Sequence, residues 1–307
     1  MTMGVWYISS GYFNITQRKL FYITVCLLLY AAIQLVYEDH LEFREYRKSN
    51  FGNMPEIGII TKDQKPSCNI GFRNDTPENA PLVALSSFPG SGNTWTRHLL
   101  EVASGIYTGS FYHDAALYEQ GFLGELGDFT SRRTIAVKIH HCRKKDFGAV
   151  ILLIRNPYDA FISEYKRIAS NRDHTGDVPI EFFHNNLQWR DFVLSSIEKW
   201  TRLVMAWHDL KVPILVVHYE ELKRSAVIEV ARMLIFLNRT VEPERLECVQ
   251  QNLEGSFHRK AKKDFYFDPF TKEMRDSVDR NIRKVNELLI NKGQKIVQQS
   301  SLHLEIR

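Results

Sequence analysis

Cysteine is scarce in this chain: there are four in 307 residues, and their spacing resembles no zinc site. A dominant charge sign is also missing, since 40 Lys and Arg stand against 36 Asp and Glu for a net charge of +4. That small surplus admits an anionic ligand. It comes with no long basic stripe and no nucleic-acid-binding signature, so nucleic acid is not an expected partner. Internal repeats and low-complexity tracts are absent, which leaves out solenoid and linker-like architectures. The remaining composition, 44% hydrophobic and 25% charged, is ordinary for a globular chain and supports a sizeable core.

One further absence is local. The loop Phe88-Pro89-Gly90-Ser91-Gly92-Asn93-Thr94-Trp95 lacks the Gly-Lys-Ser/Thr ending of an ATP-binding P-loop. What it has is a Gly/Ser core between an apolar run (Pro81 to Ser86), read as a buried strand, and a helical stretch from Thr96 to Val102. Such a loop cradles phosphate. Its glycines let backbone approach the anion, and N–H groups at the helix start have no partner of their own. A phosphorylated ligand other than ATP with magnesium is expected, and no carboxylate pair suited to magnesium stands out in the sequence.

Leu20 to Tyr37, LFYITVCLLLYAAIQLVY, is an uncharged apolar run of about 18 residues, near the lower limit for a bilayer span. Arg18 and Lys19 precede it, while Glu38, Asp39 and Glu42 follow. The positive flank predicts a cytosolic tail over 1–19, a signal anchor over 20–37, and everything after it in the lumen. The run is long for a cleaved signal peptide, and bulky Gln34-Leu35-Val36-Tyr37 makes a poor cleavage site. Cys26 falls within the span. Cys68, Cys142 and Cys248 then lie in an oxidising compartment, where one disulfide and one remaining thiol are expected, the pairing left open. Asn74-Asp75-Thr76 and Asn238-Arg239-Thr240 are glycosylation sequons on that side, whereas Asn14-Ile15-Thr16 stays cytosolic.

Residues 38–80 mix charge, Asn, Gly and Pro without periodicity and read as a stem. Regular patterning covers 81–307. Buried parallel strands are predicted at Val83–Phe88, Thr134–His140, Ala149–Arg155 and Pro213–Tyr219. Helices are predicted at Thr94–Val102, Tyr158–Ala169, Asp191–Asp209, Glu221–Leu237 and Glu244–Leu253. The alternation implies an α/β fold of P-loop type: a parallel sheet with helices on both faces, preceded by a single transmembrane helix. Ligands bind such sheets outside the carboxyl ends of the strands. Gly90–Thr94, His140, Arg155 and Tyr219 all fall at such ends.

Two more constellations carry chemistry. In Val137-Lys138-Ile139-His140-His141, strand alternation puts Lys138 and His140 on one side. Lys138 suits an anion or a leaving oxygen, and His140 suits a general base. Taken alone, two polar residues at a strand end are more often merely solvated. Arg155 closes a strand, Pro157 suits the first turn of a helix, and Ser163 follows Arg155 by about two turns. The Arg fork and Ser hydroxyl suit phosphate, unless a carboxylate such as Asp159 claims the Arg.

Together these motifs resemble the sulfotransferase superfamily, over roughly Leu82 to Lys260. Pro89, Ser91, Gly92, Thr94 and Trp95 match its Pro-Lys-Ser-Gly-Thr-x-Trp loop. The resemblance implies a donor, 3′-phosphoadenosine 5′-phosphosulfate, without a metal. Ser91, Gly92, Asn93 and Thr94 would hold its 5′-phosphosulfate, and Trp95 would lie on its adenine. Lys138 and His140 match the Lys-x-His element, with His140 as base, and Arg155 and Ser163 match the pair on the 3′-phosphate. Tyr219-Glu220-Glu221-Leu222 is similar to the family's Tyr-Glu-Asp/Glu stretch. Gly255-Ser256-Phe257 resembles the adenine cover, and Arg259 and Lys260 resemble, with compressed spacing, a late basic pair on the 3′-phosphate. Gly90 departs from the pattern by standing where the family's loop lysine assists the leaving phosphate. Lys138 is the first substitute, with Arg97 or Lys260 behind it.

The wording Ser-Phe-Pro-Gly-Ser-Gly-Asn-Thr-Trp-Thr-Arg is similar to the sulfotransferase region of WSC-domain-containing Golgi membrane proteins, a sialic acid O-sulfotransferase family. Residues 38–80, with Cys68 alone, hold no cysteine-rich WSC module. The expected function is sulfuryl transfer to a hydroxyl of a glycan or glycoprotein, in a type II Golgi membrane protein. The rival readings are a catalytically impaired, membrane-anchored nucleotide-binding protein and a P-loop kinase.

Overall fold

The computed structural model describes residues 68–74, 81–143, 146–170, 178–184, 186–255 and 267–298, which all belong to the unit Asp63–Arg307. The expected anchor at 20–37 lies outside them. No helix among the described residues is long and apolar enough to cross a membrane.

The described strands are β1 (Val83–Ser87), β2 (Gly109–Ser110), β3 (Val137–Ile139), β4 (Ala149–Ile154) and β5 (Ile214–His218). They form one sheet in the order β2-β3-β1-β4-β5, and every pairing is parallel. All six residues of β4, AVILLI, are buried. Successive side chains of a strand point to opposite faces, so burial without alternation means that both faces are covered.

Helices supply that cover: α1 (Asn93–Ser104), α2 (Ala115–Glu119), α3 (Pro157–Ala169), α4 (Leu187–His208), α5 (Tyr219–Arg224), α6 (Ala226–Phe236), α7 (Pro243–Gln251) and α8 (Lys272–Asn291). One face of the sheet packs Val150, Leu152 and Ile154 into a core with Phe161, Trp189, Trp200 and Trp207. The long helix α4 presents Trp189, Val193, Ile197, Trp200, Val204 and Trp207 on one stripe at helical spacing. Asn186 caps it by accepting from the N–H groups of Gln188 and Trp189. Trp207 donates its indole N–H to Ser86 Oγ at 2.8 Å, so the buried hydroxyl of β1 is satisfied.

Several elements differ from the sequence reading. The stretch predicted as one helix over Glu221–Leu237 is two, parted at Ser225, whose φ of −141° is not helical. Strand β2 is too short to carry a pattern. Helix α8 was missed although its signal is present: Thr271 accepts from the Met274 N–H as the N-cap, and Met274, Val278, Val285 and Leu289 are buried on one face. It packs against α4.

The topology fixes where a ligand can bind. From β1 the chain moves outward to β2, returns to β3 beside β1, then crosses to β4 on the other flank of β1. That reversal opens a crevice at the carboxyl ends of β3, β1 and β4. The loops there are residues 88–92, His140–Cys142 and Arg155–Asn156.

Residues 68–74, which the sequence reading assigns to a stem, are tied into this unit. Cys68 is bonded to Cys248 of α7 across 180 residues, and Cys142 is not in a disulfide among the described residues. Gly71 donates to Gly105 O and accepts from Tyr107 N, and Arg245 donates to Asn69 O at 2.6 Å. Cross-linking so long a loop restricts the unfolded chain. We therefore expect Cys68→Ser to lower the unfolding free energy by about 2–5 kcal/mol in urea titration. Reduced wild-type protein should match the variant, and an unchanged midpoint would show that the tie contributes nothing.

Candidate active site

The loop after β1 is shaped by two left-handed glycines, Gly90 with φ +77° and Gly92 with φ +90°. Both are also pressed against neighbours. A Cβ on Gly90 would collide with the carbonyl oxygen of Ala160 and lie 2.9 Å from Glu164 N, both on α3. A Cβ on Gly92 would lie 2.5 Å from the ring of Tyr219. A lysine at position 90 would clash with α3 as packed here, so the departure seen in the sequence agrees with the packing.

The loop's side chains divide between structure and site. Phe88 is buried edge-on against Phe161 at 5.3 Å. Asn93 turns its amide inward and donates to Leu85 O and Ser87 Oγ, each at 3.1 Å, so it offers an anion only its backbone N–H. Ser91 Oγ is buried with no partner. Thr94 is half-buried in the first turn of α1. Trp95 stands edge-on to Tyr219 at 5.8 Å and donates its indole N–H to Leu253 O at 2.6 Å.

Arg155, at the end of β4, donates through Nη1 to Gly90 O at 2.8 Å and stacks 4.3 Å above the Tyr219 ring. Its Nε is buried with no partner. Tyr219, the first residue of α5, thus wedges between the loop and the guanidinium. Glu220 beside it accepts from Asn156 N at 3.0 Å, and burial raises its carboxyl above the ordinary range. Ser163 is half-buried about two turns along α3. An orphaned hydroxyl at Ser91 and an orphaned guanidinium N–H at Arg155 are the donors a phosphate-bearing ligand would satisfy. Phe257, Arg259 and Lys260 lie outside the described residues. The segment leading to them is held at the site: Gly255 packs on His98, whose Nε2 is 2.7 Å from Asn252 O.

His140 follows β3. Its Nδ1 lies 2.8 Å from Ser87 O, and a carbonyl can only accept, so Nδ1 carries the proton and Nε2 holds the lone pair. Tyr112 stacks on the imidazole at 5.2 Å and accepts from the His140 N–H at 2.8 Å. The phenol in turn donates to His141 Nδ1 at 3.1 Å. Burial, and then the charge of Lys138, push the His140 imidazole down to about 3, so it is neutral at physiological pH.

Lys138 lies with His140 against the Tyr112 ring, its Nζ 5.9 Å from the centroid. The two share one side, as strand alternation predicts, with Lys138 buried and His140 half-buried. Lys138 is only 5% exposed, and burial brings its ammonium down to about 8 against the opposing pull of Glu125. Glu125 is fully buried. It holds Arg97 Nη1 at 2.5 Å, approaches Lys138 Nζ at 3.7 Å and accepts from Asp114 N at 3.3 Å. Arg97 is therefore no stand-in for a loop lysine: it is buried, committed to Glu125 and Thr108, and stacked on Phe122.

Beside His140 opens a cavity of about 510 Å³, lined among others by Phe88, Glu164, Phe192, Lys199 and Arg202. Glu164 of this lining is forked by Arg167 at 2.7 and 2.8 Å. Among the described residues no group of three His, Cys, Asp or Glu could hold a metal ion. The fold brings the loop, Lys138, His140, Arg155 and Tyr219 to neighbouring strand ends, as the sequence pattern implies. Tyr112, Glu125 and Arg167 belong to no motif and are not among the residues expected from the sequence.

Comparison with known proteins bears on this geometry. The sequence profile of the sulfotransferase domain matches residues 81–287. The WSCD family member CG9164 of Drosophila melanogaster is 35% identical over 214 residues, 68% of this chain and 66% of its own length. AAEL009094 of Aedes aegypti, another WSCD family member, is 32% identical over 66% of this chain and 65% of its own length. The chain thus spans slightly less than two thirds of these relatives. Among solved structures, mouse sulfotransferase SULT7A1 complexed with PAP is 17% identical with a TM-score of 0.43, covering 69% of this chain and 84% of that one. Retinol dehydratase in complex with androsterone and PAP is 16% identical with a TM-score of 0.43, covering 66% and 80%. On the domain match and the WSCD relatives, the chain belongs to the sulfotransferase family.

Proposed function

We propose that this chain transfers a sulfuryl group from 3′-phosphoadenosine 5′-phosphosulfate to a hydroxyl of a glycan or glycoprotein. The observation that carries the reading is His140, its Nδ1 proton fixed on Ser87 O, beside Lys138 and next to a phosphate loop with unsatisfied donors.

The donor supplies an activated sulfuryl group. His140 Nε2 takes the proton of the acceptor hydroxyl as its oxygen bonds to sulfur. The bond from sulfur to the phosphate oxygen breaks, and that oxygen keeps the electron pair. Backbone N–H groups at the start of α1 and the Lys138 ammonium stabilise the charge it gains. An imidazole held near 3 is free to accept a proton at any physiological pH. The anionic donor beside it raises its basicity toward the task. Arg155, and Ser163 with it, would hold the 3′-phosphate and so separate this donor from ATP.

The acceptor would enter the cavity beside His140. Lys199 and Arg202 on its wall, with Phe88 and Phe192, suit an acidic sugar with an apolar face, and sialic acid fits that description. We place the protein in the Golgi membrane as a type II protein with a lumenal catalytic unit. The apolar run at 20–37, the Cys68–Cys248 disulfide and the exposed sequon residue Asn238 support that orientation.

Incubating the full chain with labelled donor and a glycan panel tests the reading. Label transfer supports it, whereas donor binding without transfer to any acceptor would favour a nucleotide-binding protein. Three outcomes are expected. His140→Ala should lower kcat by about 10²–10⁴-fold while donor affinity by calorimetry stays near wild type; full activity would remove the base. Arg155→Ala should weaken donor binding about ten- to a hundredfold, the value of a lost charged hydrogen bond. The kcat/KM profile should be level from pH 5 to 7, because His140 stays neutral there, and fall above about 8 as Lys138 loses its charge. An ordinary histidine limb near pH 6.5 would contradict this description of His140.

A further inference from the structure

Beneath His140 lies a cluster of buried charge that the recognised motifs do not contain. Arg97 of α1 and Glu125, in the turn after α2, are both fully buried, and Lys138 of β3 is 5% exposed. Arg97 spends its donors on Glu125 Oε2 at 2.5 Å and on Thr108 Oγ1 at 2.7 Å. Glu101 of α1 accepts from Thr108 N at 2.9 Å and from the Thr108 hydroxyl. Burial raises Glu101 to about 7 against the pull of Arg97 and the Thr108 hydrogen bonds. Glu125 is different: Arg97, Lys138 and a Ser110 hydrogen bond outweigh its burial and hold its carboxyl below the usual range. It is therefore the cluster's dependable anion.

The two oxygens of Glu125 do separate work. Oε2 takes Arg97, while Oε1 takes the Asp114 N–H and faces Lys138 Nζ at 3.7 Å. The carboxylate is thus clamped by α1 and by the cap of α2, with one oxygen presented to the lysine. Other groups reach Lys138 from each neighbouring element. Arg97, Arg167 of α3 and His140 at the end of its own strand disfavour or compete with its charge, and Asp114 supports it. Tyr112 covers it with its ring face, and Arg167 is itself neutralised by Glu164. A desolvated ammonium with two arginines nearby sheds its proton unless an anion stands beside it.

Building on the role given to Lys138 above, we propose that Glu125 is the positioning residue that keeps the Lys138 ammonium charged and aimed at the transfer centre. In a chain whose phosphate loop has no room for a lysine at position 90, this pair provides the cation from the neighbouring strand. Glu125 touches neither donor nor acceptor and acts only through Lys138.

The test is the alkaline limb of kcat/KM, which a purely structural role would not move. Glu125→Gln keeps the size of the side chain but removes its charge, and its amide keeps one accepting oxygen in place of two. The limb should shift to lower pH by about one unit, so that activity at pH 8 falls about tenfold relative to pH 6. Should that variant not fold, Glu125→Asp draws the carboxylate back from Lys138 and should shift the limb the same way by less. Lys138→Arg keeps its charge at every pH and should lack the limb. A limb that persists in Lys138→Arg belongs to another group and removes Lys138 from the mechanism, and Glu125 with it. A limb lost in Lys138→Arg but unmoved in folded Glu125 variants overturns the proposal alone and leaves the sulfotransferase reading intact.

Discussion

The close approach of the loop after β1 to helix α3 is the constraint from which the rest of the site follows. Gly90 lies so near Ala160 and Glu164 that no side chain can stand there. That contact seats the loop where Arg155 can hold Gly90 O, with Tyr219 filling the space against Gly92. A left-handed backbone turns the N–H groups at the start of α1 outward as an anion cradle. The same contact excludes a cation from the loop itself. Positive charge has to come from neighbouring strand ends, where Lys138 and Arg155 stand.

Burial of those charges is costly, and the structure offsets the cost by pairing. Arg97 and Glu125 are fully buried and would each lose several kcal/mol of solvation without a partner. Their mutual contact, Thr108 and the Phe122 ring satisfy the guanidinium. The remaining carboxylate oxygen then serves Lys138. Low dielectric strengthens each of these interactions and gives the lysine a proton affinity near the working pH. His140 lies at the other end of the same physics. With Nδ1 on Ser87 O and Tyr112 across its face, the ring is fixed in tautomer and orientation before any substrate arrives.

Much of this was legible in the sequence, for local reasons. The run Ala149 to Ile154 is apolar at every position, as a central strand covered on both faces requires. Lys138 and His140 are two residues apart on a strand and must share a side. Asn93 misled in part: its type suggests a side-chain contact, yet its amide is spent on Leu85 and Ser87 and only its backbone N–H is left for an anion. Arg97 misled similarly, because a charged residue one turn into α1 looks available until Glu125, 28 residues on, is seen to claim it. Glu125 itself could not have been found, since nothing in its neighbours' spacing marks it.

Patterns of hydrophobicity and turn chemistry act over a few residues, and they determined by themselves the parallel sheet, the phosphate loop and the residues at its strand ends. Tertiary structure decided what depends on partners far apart in the chain. It chose Cys248 for Cys68 across 180 residues, joined Glu125 to both Arg97 and Lys138, and filled with α3 the space a loop lysine would need. Charge state and steric room are properties of a packed neighbourhood, and only the folded chain has one.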